Sequence, residues 1–187
     1  MGSIMNDIVE RRSIRKYRSQ PVPQDLLETL IKAASHAPSA MNVQLWHFTV
    51  IKNPSVIDRL TEALKRASHH ESVPDYLAPR VDKPDYRIGY DAPVLILVSG
   101  ERTRSTTVND CTLAAGNIML SAYSLGLGSC WINQPGVVCD VGEFRALLGE
   151  LGVPADYRIY ATVAVGYPEG GHPRAPERVH GTVNYVE

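Results

Sequence analysis

The chain is predicted to adopt an α+β fold, with a mixed central β-sheet flanked by helices. Three observations carry that prediction. Amphipathic segments with apolar residues at helical spacing alternate with short β-branched and aromatic runs. One long stretch, residues 108–125, is apolar and rich in small residues, as expected of a helix buried on most sides. The last stretch, residues 169–187, drops both periodicities and becomes rich in Gly and Pro.

The elements follow in order. Asn6 can cap a helix from Asp7 to about Arg12, with Ile8 and Val9 facing inward. A second helix starts near Pro23, with Asp25 and Glu28 in its first turns. Its apolar face is Leu26, Leu27, Leu30, Ile31 and Ala34, and Pro38 ends it. Residues 46–52 read as a strand carrying Phe48, Val50 and Ile51. Asn53 then caps a helix with Pro54 at its first position, running to about Ala67. Residues 68–89 hold Pro74, Pro79 and Pro84 with little periodicity, so they form either a lid over a site or a mobile connector. Residues 92–99 are a buried strand. The 108–125 helix would be ~27 Å long at 1.5 Å per residue, and Gly126 stops it. A short strand over 128–133, a helix over 138–148 and a strand over 158–165 complete the pattern.

With 187 residues the chain suits one domain, residues 1–168, followed by an arm, residues 169–187. A net charge of −1 gives no general attraction to nucleic acid or to an anionic membrane surface. No apolar run approaches the ~20 residues that span a bilayer. Cys111, Cys130 and Cys139 are an odd number without a Cys-x-x-Cys pair, which points away from a disulfide frame and a zinc site. The N-terminus carries no basic segment followed by an apolar one, so the expected compartment is the cytoplasm. His69 and His70 are adjacent and lack a third ligand at useful spacing, so no metal is expected there.

Two segments carry chemistry. Arg11-Arg12-Ser13-Ile14-Arg15-Lys16-Tyr17 packs cations and a hydroxyl together. Guanidinium forks and a small hydroxyl donor match phosphate oxygens, although a solvated helix end would have the same composition. Residues 37–48 leave a helix, turn through Pro38 and Ser39, and present the amides of Asn42 and Gln44 before Trp46 and Phe48. Those amides can read the edge of a heterocycle, or simply terminate a helix. Together the segments point to a phosphorylated ring cofactor. The chain lacks a Gly-x-Gly-x-x-Gly turn for a pyrophosphate, which favours a single terminal phosphate.

With Asp91-Ala92-Pro93-Val94, residues 126–132 and residues 164–168, these segments form an ordered set. The set resembles the nitroreductase family of FMN-dependent oxidoreductases, from about Asn6 to the C-terminus. Leu45 departs from the Pro usual there. The resemblance implies that Arg11, Arg12, Ser13 and Arg15 contact the FMN phosphate, ribityl chain or ring edge. It places Pro38, Ser39 and Asn42, with Gln44 beside them, over the flavin of the neighbouring subunit. Trp131, Ile132 and Asn133, with Gln134, inherit the backbone contacts to flavin N5 and the pyrimidine edge. Arg178, with Arg174 nearby, closes over the phosphate. Cys130, with no base beside it in sequence, reads as a buried small hydrophobe.

The resemblance further implies an intertwined homodimer whose arms embrace the partner. NADH or NADPH would reduce the flavin, and a nitroaromatic, quinone or related small-molecule acceptor would reoxidise it in a ping-pong cycle. No catalytic acid or base and no metal is expected. The alternatives are specialised flavin chemistry (dehalogenation, ene reduction, flavin fragmentation) and a non-enzymatic flavin-binding or regulatory role.

Overall fold

Four strands form one sheet in the order β1-β2-β4-β3: β1 (Trp46–Ile51), β2 (Val94–Glu101), β3 (Gly128–Ile132) and β4 (Tyr157–Gly166). The computed structural model describes residues 4–179 and 183–186. All three strand pairings are antiparallel, and an isolated parallel bridge joins Ser13 to Ser129 at the β3 edge.

The period-2 geometry of β2 sorts its run of apolar residues onto two faces. Val94, Ile96 and Val98 pack with residues of α2 (Gln24–Ser35) and α5 (Thr107–Ser124). Leu95 and Leu97 pack with residues of α3 (Pro54–Ala67), α6 (Gln134–Val138) and α7 (Gly142–Glu150). Both faces are covered, so β2 reads as a continuous apolar run. The result is three layers, helix–sheet–helix.

Local signals explain most boundaries. The Asn53 side chain accepts the Ser55 N–H at 3.0 Å, with Pro54 in the first turn of α3. At the other end of α5, Leu127 N–H donates to Ala122 O at 2.8 Å and Gly126 N–H to Tyr123 O at 2.9 Å. With Gly126 at φ 76° this is a Schellman stop, so the expected glycine terminator is where the sequence placed it.

Three expectations need correction. The first helix, α1 (Ile4–Glu10), does not turn Ile8 and Val9 inward: they are 51% and 53% exposed, and no residue of α1 is buried. The chain leaves α1 to run along β3, which leaves that helix outside the two core layers. The helix expected over 138–148 is two helices, α6 and α7. Pro135 starts the first one early, and extended Val141 (φ −91°, ψ 120°) separates them. Finally, α1 spans Ile4–Glu10 rather than starting at Asp7, so Asn6 lies inside the helix instead of capping it.

Residues 68–89 hold one short helix, α4 (Ala78–Val81), and are anchored rather than loose. Val73, Leu77, Val81 and Ile88 are buried in the core against α3, and Ile88 N–H donates to Thr61 Oγ1 at 3.3 Å. The described part of the arm has no helix or strand after Pro168. It starts with Glu169 N–H donating to Lys16 O at 3.0 Å, and the His172 ring meets the Tyr123 ring edge-on with centroids 4.6 Å apart. Beyond that Val179, Val183 and Val186 are exposed. Among the described residues no helix is long and apolar enough to cross a membrane.

Candidate cofactor site

The cationic segment is sewn to the edge of β3. Ile14 N–H donates to Ser129 O at 2.9 Å, and Arg18 N–H donates to Tyr167 O at 2.9 Å. Tyr17 pairs with Pro168 and donates its hydroxyl to Ile14 O at 2.7 Å. Burial raises the Tyr17 phenol far above its ordinary value, so it stays a neutral donor. Gly128 makes the close approach possible, because a Cβ there would sit 2.8 Å from Ile14. Ile14 points into the protein, and its neighbours Ser13 and Arg15 are exposed.

Arg12 behaves differently from the other cations. It is 7% exposed, and its Nη1 donates to Val9 O at 2.7 Å and Arg11 O at 2.5 Å, closing the C-terminal end of α1. Its Nε and Nη2 are buried without a partner. Ser13, Arg11 and Arg15 instead gather around the buried Cys130. Burial raises the Cys130 thiol pKa, opposed first by the charge of Arg15 and then by Ser13 and Arg11. That supports the reading of Cys130 as an inert core residue.

Two hollows flank Arg15. One, of about 280 Å³, lies between Ser13, Lys16 and the glycine pair Gly170–Gly171 of the arm. Both glycines have positive φ (76° and 83°), so the arm turns there as only glycine does easily. The other, of about 320 Å³, is lined by Arg80, Lys83, Tyr86, Tyr90 and Gln134 as well as Arg15. The Arg15 guanidinium lies 5.8 Å from the centre of the Tyr90 ring, and hydrogen bonding to Tyr90 raises its pKa further.

The 38–44 loop is built with equal care but stands elsewhere. A 3-10 turn spans Ala40–Asn42, and Met41, Asn42 and Gln44 all take positive φ, from 53° to 55°. Such conformations persist only where neighbours hold them. Ser39 Oγ accepts the Gln44 N–H at 3.1 Å, and the Gln44 side chain donates to Asn42 Oδ1 at 2.8 Å. The buried carboxylate of Asp110 accepts the Ala40 N–H at 3.1 Å. Asp110 is in the first turn of α5, while Tyr123, which meets the arm, is in its last; at 1.5 Å per residue about 20 Å of helix separates them.

One chain therefore brings together Arg11, Ser13, Arg15 and the end of β3, but not Pro38, Ser39 or Asn42. Ile132 is buried, Trp131 is half-buried, and Asn133 is exposed at the start of α6 with its carbonyl accepting the Gly136 N–H at 3.1 Å. Pro135, two residues on, offers no backbone N–H. Arg174 and Arg178 are exposed on the arm. Sequence reasoning missed Asp110, whose signal was a lone acid inside an apolar helix. It also missed Tyr90, which follows Gly89 in left-handed backbone (φ 59°).

The cationic seam at the sheet edge of this three-layer α+β protein opens on two hollows, and its donors match the oxygens of a phosphate-bearing ligand. The nitroreductase family model matches residues 8–167, and the chain belongs to that family. A nitroreductase with bound FMN from Bacteroides fragilis superposes with a TM-score of 0.93 and 36% identity, with all of both chains covered. An NADH dehydrogenase from Thermus thermophilus is 32% identical over 185 residues, covering 88% of this chain and 87% of that protein. An iodotyrosine deiodinase from Thermotoga neapolitana is 25% identical over 173 residues, covering 89% of each.

Proposed function

We propose that this protein is an FMN-dependent NAD(P)H oxidoreductase that passes electrons to a small organic acceptor. The observation that carries the reading is the seam between the 11–17 segment and β3. It presents Arg11, Ser13 and Arg15 together. FMN fits this donor set. One terminal phosphate matches two guanidinium forks and a hydroxyl, and Gly170–Gly171 lets backbone approach it closely. Arg12 offers two further buried donor nitrogens, and its hold on the end of α1 aims Arg11. Trp131, Ile132 and Asn133 would hold the ring edge, and Arg178 would close over the phosphate from the arm.

When bound, FMN supplies the two-electron redox chemistry. The chain binds and orients it, and no side chain is assigned as a catalytic acid or base. NADH or NADPH and the acceptor occupy the same site in turn, a ping-pong order. Nitroaromatics and quinones are the acceptors expected.

The site is completed by a second copy of the chain. Pro38, Ser39 and Asn42 stand at the far end of α5 from the cationic seam, so in a homodimer they cover the partner's flavin. Ile4, Met5, Ile8 and Val9 on α1, Val108 and Leu113 on α5, and Met41 in the loop are exposed apolar groups that such a dimer would bury. The 169–187 arm wraps the partner, and the 1–168 core holds the cofactor. The three cysteines are free thiols, which suits the reducing cytoplasm.

The test is to extract the bound flavin and compare it with FMN and FAD standards. The holoprotein is then bleached anaerobically with NADH or NADPH and reoxidised with a nitroaromatic or a quinone. A dominant FAD peak, or a flavin that NAD(P)H leaves yellow, overturns the proposal. The likeness to a deiodinase makes reductive dehalogenation the second reading, and iodide release from iodotyrosine in the same assay decides it.

A further inference from the structure

We propose that the acceptor carries an anionic substituent on its ring, and that Arg80 and Lys83 select it. This rests on the oxidoreductase reading above and names its substrate class. The hollow of about 320 Å³ beside Arg15 is large enough for one substituted ring. Its charge is lopsided. Arg87, on its wall, is already paired with Asp58 at 2.9 Å and Asp91 at 3.1 Å. With Arg15 given to the cofactor, that leaves Arg80 and Lys83 facing the hollow, with Asp85 the single acid not so paired among its lining residues. Tyr86 and Tyr90 supply aromatic faces. Burial raises the Tyr86 phenol well above its ordinary value, opposed by Arg80, so that ring adds no negative charge.

The cations stand on a fixed scaffold. Val81, beside Arg80, is completely buried, and so is nearly all of Ile88, beyond Lys83. Gly89 turns with φ 77° where a Cβ would strike Leu95 at 2.4 Å, which sets Tyr90 at the mouth. A neutral acceptor gains nothing from Arg80 and Lys83. An acceptor with a carboxylate, sulfonate or phosphate gains from both, and salt weakens the gain because the heads are exposed. An exposed charge pair changes an equilibrium by a factor of roughly 1.5 to 5, so the two together multiply to roughly twofold to twenty-fivefold, with about fivefold to tenfold in the middle of that range.

The experiment compares wild type with the Arg80→Ala/Lys83→Ala double variant, using 4-nitrobenzoate and its neutral methyl ester as acceptors. The expected result is a rise in KM of about fivefold to tenfold for 4-nitrobenzoate, with the methyl ester, the FMN dissociation constant and the KM values for NADH and NADPH unchanged. Raising salt should reproduce the effect in wild type, and Arg80→Lys/Lys83→Arg should retain the preference. Equal loss on both acceptors overturns the proposal. So does a rise confined to NADH or NADPH, which would assign the cations to the dinucleotide, or weaker FMN binding, which would assign them to the cofactor. A wild-type protein that holds no flavin removes the oxidoreductase reading itself, whereas a flavin-loaded wild type indifferent to acceptor charge removes this inference alone.

Discussion

Asp110 and Ala40 are 70 residues apart, and the Asp110 carboxylate accepts the Ala40 N–H at 3.1 Å. That contact ties the buried α5 helix to the loop that carries Pro38, Ser39 and Asn42. Asp110→Ala should release the strained turn. A hydrogen bond to a charged group contributes about 1.5–3 kcal/mol, so melting should fall by roughly 3–10 °C, and FMN affinity should fall with it. Asp110→Asn keeps an acceptor oxygen and should restore most of both. Calorimetry and flavin titration on the two variants check this.

Arg11 and Arg15 are predicted to act on cofactor affinity more than on folding, because both have solvent contact and neither supports the core. Alanine at either position should raise the FMN dissociation constant at least about tenfold, the loss expected of a charge-assisted contact. The melting temperature of the flavin-free protein should hold. Titration of apoprotein with FMN reads the first effect, and a thermal scan without flavin the second.

Gly128→Ala tests the seam directly. The new Cβ would press on Ile14, and overpacking of this kind costs about 1–3 kcal/mol. Stability and flavin affinity should drop together, since Ile14 separates Ser13 from Arg15. Loss of stability with unchanged flavin affinity would detach the seam from the site.

The arm should dock less firmly in acid. Partial burial, then the charge of Arg12, holds the His172 imidazole below its ordinary value. The undocked arm therefore binds a proton more readily than the docked one. Docking is fully supported above the ordinary value of about 6.5 and loses strength as pH falls from there through the docked value. Limited proteolysis after Pro168 should accelerate between pH 7.5 and about 5.5, and His172→Gln should flatten that response.

Truncation after Pro168 should abolish dimer and bound flavin together. The exposed Val179, Val183 and Val186 find no core in their own chain, and an interface that includes such an arm is expected to exceed ~2,000 Å². Light scattering and flavin occupancy on both forms give the answer. A full-length monomer that binds FMN would overturn the shared site.

Much of this protein was legible in its sequence because the signals were local. Asn53-Pro54 starts α3 and Gly126 stops α5 within one turn of where they act. The apolar run along 92–99 was enough to mark a buried strand, and the residue types of the 11–15 and 38–42 segments raised the expectation of a phosphorylated ring cofactor. What those signals do not contain is which surfaces meet. The same apolar residues in α1 could face inward or outward, and packing left Ile8 and Val9 outside. Only the fold joins Asp110 to Ala40, sets Arg80 and Lys83 beside Arg15, and separates the 38–44 loop from the cationic seam by the length of a helix. Each of these depends on segments far apart in sequence, brought together by burying two faces of one sheet, and no local residue pattern encodes that choice.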